Sequence, residues 1–348
     1  MAAENNYYYN QLNKLQKKAY FSMLEGFSLI SSSFPVPRLE GKELTDIFFL
    51  LRLDHPEIFY VESFSYRYYA DSDMVEMIPK YLFPKKKIEE HKKALDARIK
   101  KLVRQAKDLR EKEKELFIHD FICENVRYDK LKKAYSHEII GPLGHGVGVC
   151  EGIAKSVKIL CDSLGIWCVI AVSEANPEKQ IKYRHAWNVI KIDGKYYHLD
   201  VTFDNSLGRY GHARYDYVNL SDSQIFRDHQ PLIWPMPACE DGEHTYYREK
   251  KLSFTKYEDI QKRSAQAVKK GKPFLFHWRG GYLTKEILAD LMNIINEEAK
   301  KKNKHAHISL NWPQAVLLVQ FYEQPPVEEV EMEESNEGET CEESVKRF

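Results

Sequence analysis

Two stretches decide the fold: residues 148–166 read GVCEGIAKSVKILCDSLGI, and residues 184–204 read RHAWNVIKIDGKYYHLDVTFD. In the first stretch, apolar residues recur at helical spacing from Cys150 onward until Gly165 supplies a stop. The spacing predicts a helix with Cys150 in its first turn, where unsatisfied N–H groups and the helix dipole favour an anion. A thiol at such a position has a lowered pKa and is the better nucleophile. Gly148 would let the backbone turn sharply into the helix.

The second stretch predicts a β-hairpin. Two β-prone runs, 184–192 and 195–202, are joined by an Asp-Gly pair, the strongest short hairpin signal. With a two-residue loop, Trp187 faces Asp200, and His185 lies diagonally from Asp200 on the same face, roughly 7–8 Å away at the backbone. That separation allows a hydrogen bond from the imidazole to the carboxylate. Because the alternating residues on the other face are apolar, the hairpin separates a chemical face from a packing face.

A thiol at a helix N-terminus, a histidine and an aspartate form a set of nucleophile, base and orienting group. In such a set His185 takes the thiol proton of Cys150, and Asp200 fixes the tautomer of the imidazole. The alternative for a helical cysteine is a small buried apolar residue, and this is our interpretation of Cys161 on the same stripe. The combination of helix start, preceding glycine and His-Asp hairpin favours a catalytic role for Cys150.

These motifs, GVCEGIA and then HAWNVIKIDGKYYHLDVTFD, resemble the catalytic core of bacterial members of the transglutaminase-like superfamily, which share a papain-type Cys-His-Asp arrangement. The resemblance covers about residues 118–220 and implies Cys150 as nucleophile, His185 as base and Asp200 as third member of a catalytic triad. It implies a cysteine-dependent acyltransferase or hydrolase that acts on amide bonds of protein or peptide substrates through a thioester. Whether an amine or water resolves the thioester stays open, and so does the choice among transglutaminase, deamidase and cysteine peptidase.

Two further residues are candidates for the oxyanion site or the site wall. His137 lies in the glycine-containing stretch 134–149, which we interpret as a loop that delivers the nucleophile. Relatives often have Gln or His at this position, which implies a second oxyanion donor beside the backbone N–H of Cys150. The alternative is an ordinary surface-loop residue. Trp187 flanks the histidine and faces Asp200, so we expect it to shield the pair from water.

Composition argues against several classes of protein. The 348 residues are 43% hydrophobic and 30% charged with a formal net charge of zero, so nothing points to a nucleic-acid or membrane partner. The N-terminus lacks the plan of a signal peptide and no run of 18 apolar residues occurs, which favours a cytoplasmic location. Six scattered cysteines without a CxxC pair fit reduced thiols. Because zinc patterns, a P-loop and GxGxxG are also absent, we expect no metal and no cofactor.

The expected fold class is α+β, with a papain-like transglutaminase core in which the cysteine helix packs on an antiparallel sheet carrying His and Asp. The pattern divides the chain into an N-terminal α+β extension (1–85), the core with its leading helix (86–225), a small C-terminal α/β accessory region (226–324) and an acidic disordered tail (325–348). The competing function is a non-enzymatic protein-binding or scaffold module on the same fold, since fold does not fix function. The oligomeric state is left open.

Overall fold

Helices and antiparallel sheets make up the computed structural model, which describes residues 6–179, 181, 183–208 and 212–324. The α+β fold class predicted from the sequence is confirmed. The segment 325–348, predicted to be disordered, lies outside the described residues. Contacts group the described residues into two units, of which the first extends through Arg214 and includes Gln230–Cys239, and the second contains Tyr215–His229 and residues 240–324.

The first unit begins with three helices and a small sheet. The helices are α1 (Tyr7–Gln11), α2 (Lys14–Ser28) and α3 (Gly41–Asp54), and the strands are β1 (Phe34–Pro37), β2 (Val61–Tyr68) and β3 (Met74–Tyr81). The strands are antiparallel in the order β1-β3-β2. Asn13 separates the first two helices because its side chain accepts from the backbone of Leu15 and Gln16, which caps α2.

Two longer helices then lead to the cysteine. They are α4 (Lys85–Ala106) and α5 (Glu111–Asn125), and they are followed by β4 (Arg127–Tyr128), a 3₁₀ turn (Ala134–His137), a π-helix (Ile140–His145) and β5 (Val147–Gly148). The stretch interpreted as a loop therefore contains two helical turns and a strand that pairs parallel with β4. Gly148 does not have a positive φ. A Cβ there would lie 2.6 Å from Pro142 Cγ, so the position requires glycine for space and not for a turn.

The helix predicted at the cysteine is confirmed as α6 (Cys150–Ser163), and Gly165 follows it with a φ of 75°. Next come β6 (Cys168–Ser173), β7 (His185–Ile192), β8 (Lys195–Leu199) and the short helix α7 (Val201–Leu207). The strands run antiparallel in the order β6-β7-β8. Helix α6 packs on this sheet, and the side chain of Asn188 donates a hydrogen bond to the carbonyl of Ala154 at 3.0 Å.

The hairpin has the predicted register, since Asn188 pairs with Leu199 and Ile192 pairs with Lys195. Asp193 and Gly194 both have positive φ, at 50° and 83°, as a type I′ turn requires. The second strand is shorter than predicted. It ends at Leu199 because the next residue leaves the sheet and caps α7.

The second unit has its own sheet and core. Its elements are β9 (Val218–Leu220), α8 (Asp222–Ile225), α9 (Tyr246–Glu249), β10 (Ser253–Phe254), α10 (Tyr257–Lys270), β11 (Phe274–Trp278), α11 (Lys285–Lys300), β12 (His305–Asn311) and β13 (Val316–Tyr322). One sheet has the order β10-β11-β13-β12. Its apolar core includes Ile260, Phe276, Leu291, Ile295 and Leu317. Helix and strand are thus both present in the accessory region, as predicted.

The contact grouping does not separate residues before position 86 from the core, and it assigns residues 215–225 to the second unit. The four-part division drawn from the sequence stays a prediction. Among the helices of the described ranges, none combines the length and the apolar character needed to cross a bilayer.

Candidate active site

The start of α6 holds Cys150 in a fixed position. Val149 is the N-cap residue, and its backbone N–H donates to the carbonyl of Ser136 at 3.1 Å. A Cβ on Gly152 would lie 2.2 Å from the same carbonyl oxygen, so the first turn of α6 can approach this loop only with glycine there. Cys150 therefore occupies the first turn of its helix, as the sequence predicts.

Cys150 is fully buried and is disulfide-bonded in this structure. Cys123, Cys161, Cys168 and Cys239 are free thiols, as predicted. The prediction that all six cysteines are reduced is wrong at Cys150, because the spacing of cysteines in the sequence does not reveal a pair that only the fold brings together. Cys161 is fully buried, as expected for a core residue. Any nucleophilic chemistry at Cys150 requires its reduced form.

His185 and Asp200 are in direct contact. Nε2 of His185, the first residue of β7, lies 2.6 Å from Oδ2 of Asp200. The other carboxylate oxygen, Oδ1, accepts from the backbone N–H groups of Thr202 at 2.8 Å and Phe203 at 3.1 Å, and so caps α7. Asp200 has no exposed surface. The two backbone amides fix the carboxylate, and the carboxylate in turn orients the imidazole.

Aromatic rings cover this pair. The ring of Trp187 stacks on His185 with centroids 5.7 Å apart, and the ring of Phe203 lies 4.8 Å from it. The indole N–H of Trp187 donates to Nδ1 of His198 at 2.9 Å, which fixes the orientation of the indole. Trp187 is buried, and the pair it covers is shielded from solvent on that side.

His137 is 5% exposed, so it is not a surface-loop residue. Its Nδ1 lies 3.3 Å from Oε2 of Glu151, the residue that follows Cys150. The contact places the His137 ring beside the first turn of α6. Its role as an oxyanion donor stays a prediction.

Cys150 also shares an apolar cluster with the strand that carries the histidine. The buried members are Tyr8, Leu50, Leu53, Cys150, Ala154, Ile170, Val172 and Ala186. Ala186 is the neighbour of His185 in β7. The sheet thus brings the His-Asp pair and the start of α6 into one region of the first unit.

A family model described as the transglutaminase-like superfamily matches residues 96–201, which include this cysteine, histidine and aspartate. Residues 96–201 belong to the transglutaminase-like superfamily. The α+β, papain-like core predicted from the sequence is therefore the fold of this part of the chain.

Three solved structures are similar to part of this chain. They are a TGase (11% identity, 41% of this chain and 44% of that chain, TM-score 0.29), a candidate cysteine protease from Cytophaga hutchinsonii (16%, 40% and 61%, 0.27) and a candidate protease from Parabacteroides distasonis (17%, 40% and 36%, 0.22). This chain spans less than two thirds of the length of each of them. A comparison with curated proteins found no match.

Beside Cys150, at the start of α6, lies a buried network of charges that the sequence did not reveal. Arg52 of α3 contacts Glu138 and lies 3.7 Å from Glu151, and Lys155 lies 2.9 Å from Glu138 and 2.6 Å from Glu151. Burial favours the neutral form of Glu151, but Lys155, His137 and Arg52 together hold its pKa well below the ordinary range. The network ties α3, the turn before the cysteine and α6 together.

A second Cys-His-Asp set lies between α5 and α7. His119 Nε2 is 3.1 Å from Asp204 and 3.7 Å from the sulfur of Cys123, and its Nδ1 is 3.0 Å from Asp120. Burial lowers the pKa of His119, but hydrogen bonds to Asp120 and Asp204 raise it well above the usual range. Burial raises the pKa of the Cys123 thiol despite the nearby imidazole. This set therefore lacks an activated thiol and instead braces α7, the helix that Asp200 caps.

Proposed function

We propose that the protein is a cysteine-dependent acyl-transfer enzyme of transglutaminase-like type that acts on amide bonds of protein or peptide substrates through a thioester. The single observation that carries the proposal is the buried contact of 2.6 Å between His185 and Asp200. Such a pair beside a cysteine at a helix N-terminus is the arrangement that activates a thiol nucleophile. The match of residues 96–201 to the superfamily supports a papain-like cysteine enzyme at a coarser level.

The proposed reaction begins with reduced Cys150. His185 takes the thiol proton at Nδ1, since Nε2 faces Asp200, and Asp200 stabilises the imidazolium that forms. The thiolate attacks the amide carbonyl, and the imidazolium returns its proton to the leaving nitrogen as the C–N bond breaks. An amine or a water molecule then attacks the thioester, gives its proton to the imidazole and releases the thiol.

The negative oxygen of the tetrahedral intermediate needs hydrogen-bond donors. We assign one to the backbone N–H of Cys150, because the first amides of a helix point out of its N-terminus. We assign the second to His137, whose ring is held against Glu151 beside this turn. Trp187 then keeps the His-Asp pair dry, which strengthens their interaction.

The alternative function is a non-enzymatic binding module on the same fold. The geometry favours an enzyme, because a binding module would not need a buried carboxylate held by two amides against an imidazole. The two functions differ in whether the thiol of Cys150 is activated, and the reactivity of this thiol can be measured directly.

The test is the rate of iodoacetamide alkylation of Cys150 against pH, measured by mass spectrometry on the reduced protein. In the wild type we expect selective labelling that persists well below the free-thiol pKa of about 8.5, and we expect this labelling to be lost in His185→Ala. His145→Ala is the matched control because His145 is an exposed histidine of the preceding π-helix. If Cys150 reacts no faster than Cys161 in every protein, the enzyme proposal fails and the binding module is favoured.

Glutamine-containing peptides then identify the acceptor. Release of ammonia without amine incorporation would indicate deamidation, incorporation of a labelled primary amine would indicate transglutamination, and cleavage of the peptide backbone would indicate a peptidase.

A further inference from the structure

An extended segment outside the family core lies along the sheet beside the cysteine. We call residues 231–236, which read PLIWPM, the strap. The strap runs along the edge of β6 that is not paired with β7: the N–H of Ile233 donates to the carbonyl of Val172 at 2.9 Å, and the N–H of Glu174 donates to that of Pro231 at 3.3 Å. Leu232 pairs with Ser173 in an antiparallel bridge. The strap therefore has a defined register on the sheet.

The N-terminal helix fixes the other end of the strap. The hydroxyl of Tyr7 donates to the carbonyl of Pro235 at 2.9 Å. The ring of Trp234 meets Tyr8 edge-on at 5.8 Å and stacks on Phe49 at 5.4 Å. Two proline residues also restrict the backbone of the strap. The position of the Trp234 indole is thus determined by contacts from two separate helices, α1 and α3.

These side chains pack against the cluster that contains Cys150. Several half-buried apolar side chains lie against this cluster. We call five of them the aromatic wall: Tyr7, Phe49, Tyr183, Trp234 and Met236. Each of them is half-buried, so each presents apolar surface to solvent beside the cluster that contains Cys150. None of the five carries a charge. An apolar surface of this kind favours an apolar side chain of a bound peptide, because binding removes both surfaces from water.

We propose that the aromatic wall is the subsite that recognises the acyl donor, and that it selects peptides with a large apolar or aromatic residue beside the reactive amide. This inference rests on the proposed function, and it names the substrate class of the same site. Trp234 is the specificity-determining residue because its ring is held on two sides by Tyr8 and Phe49. The family core that ends at residue 201 does not contain it.

The test uses reduced full-length protein and a matched series of peptide chloromethyl ketones whose residue beside the reactive group is Phe, Leu, Ala, Glu or Lys. The readout is the second-order rate of labelling of Cys150, measured beside the rate with iodoacetamide. We expect the Phe probe to react about 10- to 100-fold faster than the Ala probe in the wild type, as a well-placed apolar contact allows. Trp234→Ala should reduce that ratio about tenfold, Trp234→Phe should largely restore it, and Trp312→Ala, at an exposed tryptophan of the second unit, should not change it.

A charge change gives an independent result if Trp234→Ala does not fold. Met236→Glu places a carboxylate on the aromatic wall, so it should shift the preference from Phe toward Lys, whereas Met236→Gln should not. Equal rates for all probes, or a preference unchanged by both Trp234→Ala and Met236→Glu, would overturn the inference. If iodoacetamide labelling still shows an activated thiolate in that case, the proposed function stands; if it shows none, the proposed function has failed as well.

Discussion

Asp200→Asn is the substitution that tests the two roles of the Asp200 carboxylate most directly. The carboxylate uses its two oxygens differently, with Oδ1 accepting from the amides of Thr202 and Phe203 and Oδ2 facing Nε2 of His185 at 2.6 Å. A carboxamide has one acceptor oxygen and one donor NH₂ group. It can replace Oδ1 or Oδ2 as an acceptor, but it cannot replace both.

In Asp200→Asn, the N-cap of α7 determines the orientation of the side-chain amide. Two backbone donors in a buried position cost more to leave without an acceptor than one imidazole nitrogen, so we expect the oxygen to stay on the amides of α7. The NH₂ group then donates to Nε2 of His185, and the ring proton moves to Nδ1. Because Nδ1 is the proposed base, the histidine can no longer accept the thiol proton of Cys150.

The expected magnitudes separate two variants. Asn is as good an N-cap as Asp, whereas Ala loses the cap at a cost of about 0.5–2 kcal/mol. Asp200→Asn should therefore unfold close to the wild type in urea, while Asp200→Ala should be measurably less stable. In turnover we expect Asp200→Asn to fall by about 10³–10⁴-fold, the order found when a triad histidine is held in the wrong tautomer.

Urea unfolding and the pH profile of Cys150 alkylation measure the two effects in the same samples. ¹⁵N chemical shifts of the His185 ring would report the tautomer directly. Wild-type alkylation and turnover in Asp200→Asn would refute the orienting role of the carboxylate. Equal destabilisation of Asp200→Asn and Asp200→Ala would refute the capping argument.

Three further outcomes are expected. Arg52→Ala leaves Glu138 and Glu151 buried with one cation fewer, so we expect a loss of about 3–5 kcal/mol in urea unfolding; a loss below about 1 kcal/mol would show that the network contributes little. The folded-state pKa of His119 is raised. Its contribution to stability is therefore complete below about pH 6.5 and is lost as pH rises through the folded pKa. As pH rises, the Tm of the wild type should fall more than the Tm of His119→Gln. The folded-state pKa of Glu151 is instead lowered, so its contribution is present above about pH 4.3 and is lost as pH falls through the folded pKa; Glu151→Gln should be less stable than the wild type at pH 7, and the two Tm values should converge in acid.

Much of the core could be predicted because its signals are local. The Asp-Gly turn fixes the pairing of β7 with β8, and this pairing brings His185 and Asp200 together. What could not be read locally is that Asp200 belongs to a helix cap. An aspartate at the end of a strand and an aspartate at the start of a helix look alike in sequence, and only the two amides that bond it distinguish them.

The charge network was missed for a different reason. Glu151 and Lys155 are four residues apart on a helix, which normally indicates an exposed ion pair. They are buried here because Arg52, which lies far away in the chain, supplies the additional cation beside Glu151. The sequence offered one signal of this buried network, namely that Glu151 and Lys155 lie on the face of the helix next to its apolar stripe.

The packing of α1 and α3 around the cysteine sets a limit on how this chain can be divided. Tyr8 and Leu53 belong to the same apolar cluster as Cys150. Arg52 supplies a positive charge 3.7 Å from the carboxylate of Glu151, the residue after Cys150. A gene fragment that encodes only residues 86–225 would leave this cluster open to water and strip a cation from a buried acid. The region ahead of the family core is thus not an independent module that can be removed. Exchange of this region between relatives would have to preserve the side chains that contact α6.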